Sequence, residues 1–291
     1  MCVSRNVRFL SAFVPTFTNS ECRKLLQRGV FAVNKIKNLT SVEVLETIKE
    51  ILLKGYYYCE TLRLGIEPRV HPASLKVGHG GTLDSTATGV LVVGVGFGCK
   101  ILPRLLHGNK KYCVTGHLGI ATDTYNETGN IIQECSYSHI SRQMLEAALS
   151  RYHGEILQTP PLYSALKLRG RRIADLTRAG ISVDLNPRPV TCHAIQCTVF
   201  SPPSFTLEVH CGGGFYVRSL VHDLGIALGS CAHVRELHRF QQGPFMEQDM
   251  LDSNEWTMQN ILIAIKKAKE SHGEFLKRPR KKHKCEASLS R

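Results

Sequence analysis

The first place to look for chemistry is Gly78-His79-Gly80-Gly81-Thr82-Leu83-Asp84. A carboxylate and an imidazole stand five residues apart in a stretch with three glycines. Glycine frees the backbone to bend sharply and to come close to a ligand. A carboxylate held in such a loop has the chemistry of a base or a nucleophile. On spacing alone, however, an aspartate after a turn reads as a helix cap. The residues that follow, Val90-Leu91-Val92-Val93 within Gly89 to Gly98, form an apolar run expected as a buried strand. That strand gives the loop a rigid support.

Other segments carry reactive or basic side chains. Lys110-Lys111-Tyr112 opens a strand-like run to Gly119, and Ala121-Thr122-Asp123-Thr124 with Glu127-Thr128-Gly129 follows as loop. Thr159-Pro160-Pro161-Leu162-Tyr163-Ser164-Ala165-Leu166-Lys167 reads by itself as a proline-set turn before a helix. Gly212-Gly213-Gly214-Phe215-Tyr216-Val217-Arg218-Ser219-Leu220 links an alternating strand (Phe205, Leu207, Val209, Cys211) to a helix carrying Val221, Leu224 and Leu228. Ala232-His233-Val234-Arg235-Glu236-Leu237-His238-Arg239 comes after it.

The elements that must position these residues are readable in outline. Val30 to Lys35 is a short buried strand. Thr40 with Glu43 is a capping box, and Val44, Leu45, Ile48, Ile51 and Leu52 continue at helical spacing. Residues 55–75, with Tyr56-Tyr57-Tyr58, Pro68 and Pro72, are expected as a loop or insertion whose tyrosines stack on bases or are partly buried. Ile101 to Leu106 is a helix. Ile140, Met144, Leu145, Ala148, Leu149 and Tyr152 form another, stopped at Gly154. Ile261, Ile263, Ala264 and Ala268 finish a C-terminal helix before the basic run Lys277 to Lys284. That run serves as a nuclear import signal, an extra RNA contact or a nonspecific disordered tail.

Composition narrows the partner. The 291 residues carry a net charge of +13 with a pI near 9.3, which favours a polyanion, nucleic acid first and acidic membrane second. Residues 262–291 hold ten Lys/Arg against three Glu, so seven of the thirteen charges sit there and the body keeps the rest. The 11 cysteines include no C-x-x-C pair, which argues against a zinc site and against a disulfide framework, and for an intracellular protein with reduced thiols. No apolar run is long enough to span a bilayer. Residues 1–20 hold Arg5 and Arg8 and no acid before Glu21, compatible with a mitochondrial presequence or a disordered leader.

Taken together these segments resemble the TruB family of tRNA pseudouridine synthases, in its eukaryotic branch. The resemblance runs in order from about residue 29 to about residue 246. It departs at Ile36-Lys37-Asn38-Leu39-Thr40-Ser41, where the family has Lys-Pro-x-Gly-x-Thr-Ser. Ile36 stands for the Pro and Asn38 for the Gly, and Asn tolerates the left-handed turn. The resemblance implies an α+β pseudouridine synthase fold, a mixed and mainly antiparallel sheet flanked by helices. It divides the chain into a leader (1–28, disordered or targeting), a catalytic domain (29–250) and a C-terminal helix with basic tail (251–291), with no recognisable PUA domain.

The implied activity is isomerisation of uridine to pseudouridine at tRNA position 55 in the T-loop, with T-loop-like hairpins of mRNA as further candidates. The reaction uses no cofactor and no metal. Asp84 matches the family's essential aspartate, Arg218 its charge partner and Tyr112 the tyrosine stacked on the target base, a proton acceptor at C5. Tyr216 and Leu237 match residues that hold the base, and His79 the residue that fills the gap left by a flipped nucleotide. Lys110, Lys111 and Lys167, with Lys100, Arg169, Arg171 and Arg172, are candidates for phosphate contacts.

The partner implied is the tRNA T-stem-loop, bound by a monomer without guide RNA and away from membranes. The tail favours nucleus or cytoplasm, with the mitochondrion left open. Three other readings compete. Gly94-Val95-Gly96-Phe97-Gly98 fails the spacing of a dinucleotide site. A catalytically silent RNA-binding or tRNA-folding protein of the same fold would not need Asp84, Tyr112 and Arg218 together. A relative working within a guide-RNA particle would carry a PUA domain and long extensions.

Overall fold

The computed structural model describes residues 17–64 and 75–277. The first element is a helix, α1 (Asn19–Gln27), started by a reciprocal cap. Thr18 N donates to Glu21 Oε2 at 2.7 Å and Glu21 N to Thr18 Oγ1 at 3.3 Å. Cys22 and Leu26 of this helix are buried in the core. The leader expected over residues 1–28 therefore gives way to folded structure by Thr18. Residues 1–16 lie outside the described part.

Strand β1 (Val30–Lys35) leads through a turn to helix α2 (Ser41–Leu64). Asn38 stands in that turn at φ 68°, in the left-handed region that asparagine tolerates, so the turn survives without its glycine. The Thr40–Glu43 box caps α2 as expected, at 2.7 and 3.2 Å. The helix then continues past Gly55, where a loop had been expected, and takes in the backbone of Tyr56, Tyr57 and Tyr58. Gly55 is no stop signal. A Cβ there would come within 2.6 Å of the Met258 side chain, so the glycine admits a close helix contact. Residues 65–74 of the expected loop lie outside the described part.

The rest of the chain supplies β2 (Val77–His79), β3 (Thr88–Val95), α3 (Leu102–His107), β4 (Lys110–Leu118), β5 (Ile120–Thr122) and β6 (Ile131–Glu134). Then come α4 (Arg142–Leu149), β7 (Gly154–Gln158), β8 (Lys167–Leu168), β9 (Arg171–Arg172) and α5 (Ile173–Arg178). The last elements are β10 (Arg188–Ser201), β11 (Ser204–Cys211), α6 (Val217–Ala227), β12 (Ala232–Gln242), β13 (Phe245–Met246), β14 (Met250–Leu251), α7 (Met258–Ser271) and α8 (Gly273–Leu276). The main sheet runs β14-β1-β3-β12-β4-β11-β10-β7, with β2 on β3 and β13 on β12. It is antiparallel except at β1/β14 and β3/β12. The expected mixed, mainly antiparallel sheet flanked by helices is present.

The two halves of the sheet are covered differently. In β1 and β3, Phe31, Val33, Leu91 and Val93 pack with α2 and α7, while Val30, Ala32, Val90 and Val92 pack with α3. Both faces are covered, which is why β3 is a continuous apolar run. In β4, buried residues alternate with half-exposed ones, and the buried face (Tyr112, Val114, Leu118) packs with α4 and α6. Helix α7 shares a core with α1 and β1, so the segment after residue 250 completes the same body. The basic tail from Arg278 onward lies outside the described part. Among the described residues no helix is long and apolar enough to cross a membrane.

The halves meet at β3 and β12. These strands pair over only two positions, Thr88 with His238 and Gly89 with Arg239. The contact is tight: a Cβ on Gly89, whose φ is 104°, would lie 2.3 Å from the Arg239 carbonyl oxygen. The loop Gly80–Ala87 sits beside this junction.

Candidate active site

The loop that carries Asp84 is fixed by its own backbone, residue by residue. Gly80 N donates to Val92 O at 2.8 Å, and Gln242 Nε2 reaches Gly80 O at 2.8 Å. The Arg239 guanidinium donates to Gly81 O at 3.2 Å and Thr82 O at 3.4 Å, and its Nε to Val90 O at 2.8 Å. Ser41 Oγ accepts from Leu83 N and donates to Leu83 O, both at 3.0 Å. Ser85 O accepts from Lys35 Nζ at 3.1 Å and Asn38 N at 2.8 Å. These bonds hold the loop in one conformation, and with it the direction of the Asp84 side chain.

Arg218 approaches Asp84 from the first turn of α6. Its Nε donates to Oδ2 at 2.6 Å and its Nη2 to Oδ1 at 3.2 Å, across 134 residues of sequence. The same guanidinium donates to Thr124 O at 2.9 Å and Tyr163 O at 3.0 Å. The arginine side chain is 6% exposed and the aspartate 31%, so the pair is buried on the arginine side and open on the carboxylate side. Bidentate pairing fixes the plane of the carboxylate as well as its position. The start of α6 is itself clamped. Gln158, at the end of β7, accepts from Tyr216 N at 2.7 Å and donates to Tyr216 O at 2.9 Å, and Ser219 Oγ donates to Thr159 O at 2.8 Å.

Asp84 opens onto a cleft of about 520 Å³, within the usual size of a small-ligand site. His79, Asp84, Tyr112, Tyr216, Arg218 and Leu237 line it together, although they come from four separate segments of the chain. Ser164, Ala165, Leu166 and Phe215 complete a largely apolar wall. Burial pushes the Tyr112 phenol up to about 12, with the nearby Arg239 charge working the other way. At neutral pH the phenol is therefore protonated. Burial, and then the charges of Arg239 and Arg172, hold the His79 imidazole below its ordinary value, so it faces the cleft neutral. Burial also raises Tyr216.

The lysines divide. Lys110 borders the cleft but turns its ammonium away from it. Nζ donates to Leu105 O, Leu106 O and Gly108 O at 3.0, 2.9 and 2.7 Å, closing the C-terminus of α3. All three of its donors are used within the fold. Lys111 points to the opposite face of β4, across from His210. Lys100 ends the turn after β3, its Nζ 4.7 Å from the Phe97 ring. Lys167, Arg169, Arg171 and Arg172 form an exposed hairpin, β8 to β9, directly after the wall residues Ser164 to Leu166. Arg169 and Gly170, both at positive φ, make its turn. The helix expected after Pro161 begins only beyond this hairpin, at α5.

Lys35, Ser41, Gln158, Arg239 and Gln242 support the site and were not singled out from sequence. Lysine and arginine inside strands read as surface residues. Period-two alternation was the available signal for Arg239, because it puts residue 239 on the same face as the buried Leu237. Among the described residues no group of three or more His, Cys, Asp or Glu is arranged to hold a metal ion.

Comparison with known proteins gives a consistent answer. The family model described as TruB family pseudouridylate synthase (N terminal domain) matches residues 69–217. A second, tRNA pseudouridylate synthase B C-terminal domain, matches residues 218–279. Pseudouridylate synthase TRUB1 of Mus musculus is 48% identical over 239 residues, covering 80% of this chain and 68% of the relative. The Homo sapiens protein of the same name is 47% identical over 241 residues, covering 81% and 67%. The tRNA pseudouridine synthase B of a Dehalococcoides mccartyi strain is 37% identical over 224 residues, covering 77% and 68%. Among solved structures, the chain matched in a Cbf5-Nop10-Gar1 complex superposes with a TM-score of 0.57 at 26% identity, over 88% of this chain and 60% of that one. This chain thus spans about two thirds of those curated relatives and three fifths of that solved chain. An aspartate fixed by a distant arginine faces this cleft, and with these matches the chain belongs to the TruB family of pseudouridylate synthases.

Proposed function

We propose that this protein isomerises uridine to pseudouridine in the T-loop of tRNA, at position 55, acting as a monomer without guide RNA. One observation carries the reading: the Asp84 carboxylate, locked by Arg218, opens onto a cleft floored by Tyr112 and Leu237. The reaction cuts the N1–C1′ bond, turns the uracil and rejoins it through C5, and the C5 proton leaves. Asp84 is the group placed beside C1′, either attacking it or assisting removal of a ribose proton. Tyr112 stacks on the base. Its buried, neutral phenol makes it a poor base at C5, so stacking is the role its surroundings favour. Tyr216 and Leu237 hold the uracil edge. His79, neutral at the cleft mouth, fills the vacated stack.

The hairpin Lys167–Arg172 supplies phosphate contacts. Hairpins of mRNA with the T-loop shape enter the same cleft, because recognition rests on shape and unstacked bases. Residues 29–250 hold the chemistry, and the nucleus or cytoplasm is the compartment we favour. The test is a tRNA transcript treated with the protein and mapped by carbodiimide adducts and reverse transcription. A single new stop at the T-loop uridine is expected. Stops at other uridines, with none in the T-loop, would overturn the substrate assignment.

A further inference from the structure

Arg239 is fully buried, yet among the described residues no carboxylate pairs with it. A guanidinium stays charged in proteins, and burying one against neutral carbonyls alone is costly. It is also the cross-strand partner of Tyr112, opposite it in the β12/β4 ladder. Its three donated bonds go to Val90 O, Thr82 O and Gly81 O, so one side chain touches both the support strand and the loop that leads to Asp84. Gly81, Thr82 and Tyr112 all border the cleft. A purely structural clamp could be built from a neutral side chain, as Gln242 is, three residues along the same strand with bonds to Gly80 O and Val92 N.

We infer that Arg239 is a positioning residue for the isomerisation: it sets the Tyr112 ring and the Gly81–Thr82 turn in one register and holds a fixed positive charge under the cleft. The inference rests on the function proposed above. When N1–C1′ breaks, the electron pair of that bond stays on the uracil. A preorganised charge behind the base suits that state better than the ground state. Arg239 acts through Tyr112 and the loop and touches no reacting atom.

The test is a set of four proteins: wild type, Arg239→Met, Tyr112→Phe and the double variant, with Arg239→Lys beside them. Melting temperature, tRNA affinity and single-turnover rate of pseudouridine formation are measured on each. Arg239→Met is expected to bind tRNA within about threefold of wild type while its rate falls about 100-fold, the scale of a small misplacement of reacting groups. Arg239→Lys recovers at least about tenfold of that loss, because it keeps the charge. The rate losses of Arg239→Met and Tyr112→Phe do not multiply in the double variant. A folded Arg239→Met within threefold of wild-type rate overturns the inference, and so do losses that multiply. If Arg239→Met does not fold, the cycle is built from Arg239→Lys, Tyr112→Phe and their double variant, and rate losses that multiply overturn the inference. If wild type forms no pseudouridine, the function proposal fails. The inference then falls with it, whereas an active wild type beside a folded Arg239→Met of unchanged rate overturns the inference alone.

Discussion

Replacing Arg218 by methionine tests the central pair by stability as well as by activity. The side chain keeps its apolar stem but loses four hydrogen bonds, two to Asp84 and one each to Thr124 O and Tyr163 O. Removing one partner of a buried pair costs about 3–5 kcal/mol, because the other charge is left behind. Asp84 is 31% exposed and recovers some hydration, which pulls the estimate toward the lower figure. Two carbonyls left without donors add about 1 kcal/mol or more each. A total of roughly 5 kcal/mol lowers the melting temperature by about 10–20 °C in a protein of this size. Differential scanning fluorimetry reads this directly, with circular dichroism confirming a folded protein at 20 °C. A fall of less than about 3 °C in a folded variant would refute the reasoning, since the guanidinium would then not be holding the four groups together.

Asp223 on α6 is raised to about 6 by burial, so its folded pKa lies above its unfolded value. The folded state holds the extra proton between about pH 4 and pH 6, and stability is lost as pH rises through that window. Asp223→Asn should therefore melt higher than wild type at pH 7.5, with the difference vanishing near pH 4, and equal melting at pH 7.5 would contradict this. His79 is lowered by burial and by Arg239 and Arg172, so the unfolded chain takes up its proton first as pH falls below about 6.5. Wild type should lose more melting temperature than His79→Gln between pH 7.5 and 5.5, and parallel curves would count against a buried neutral imidazole. Gly89→Ala places a methyl 2.3 Å from the Arg239 carbonyl at a φ of 104°. It should drop soluble expression or lower melting by more than about 10 °C, and a near-normal melt would show that the β3/β12 junction yields.

What the sequence told of this fold followed from local physics. The run Val90 to Val93 was legible as a buried strand because both its faces are covered, by α2 and α7 on one side and α3 on the other. The Thr40–Glu43 box and the Asn38 turn were legible because a cap and a left-handed φ depend on neighbours only. Helix α2 beyond Gly55 was hidden, since the glycine's purpose is a contact with Met258, some two hundred residues on. The bonds of the Lys110 ammonium to the end of α3 were hidden for a related reason, since nothing in Lys-Lys-Tyr announces them. The pairing of Asp84 with Arg218 was legible only through family resemblance, because no local rule links residues 134 apart. Arg239 was within reach of the strand period shared with Leu237, but an arginine's type argues for the surface.

The most direct measurement compares wild type with Asp84→Asn on a T-loop tRNA transcript, following tritium release from C5-labelled uridine together with tRNA binding. Asparagine keeps the size and can still accept from Arg218, so the fold and the RNA surface should persist. The account predicts release by wild type, a loss of at least about 10³-fold in the variant, and affinities within a few-fold of each other. Release at a comparable rate by Asp84→Asn would contradict the assignment of the carboxylate. Tight binding by both proteins with release by neither would make the chain an RNA-binding member of the family instead.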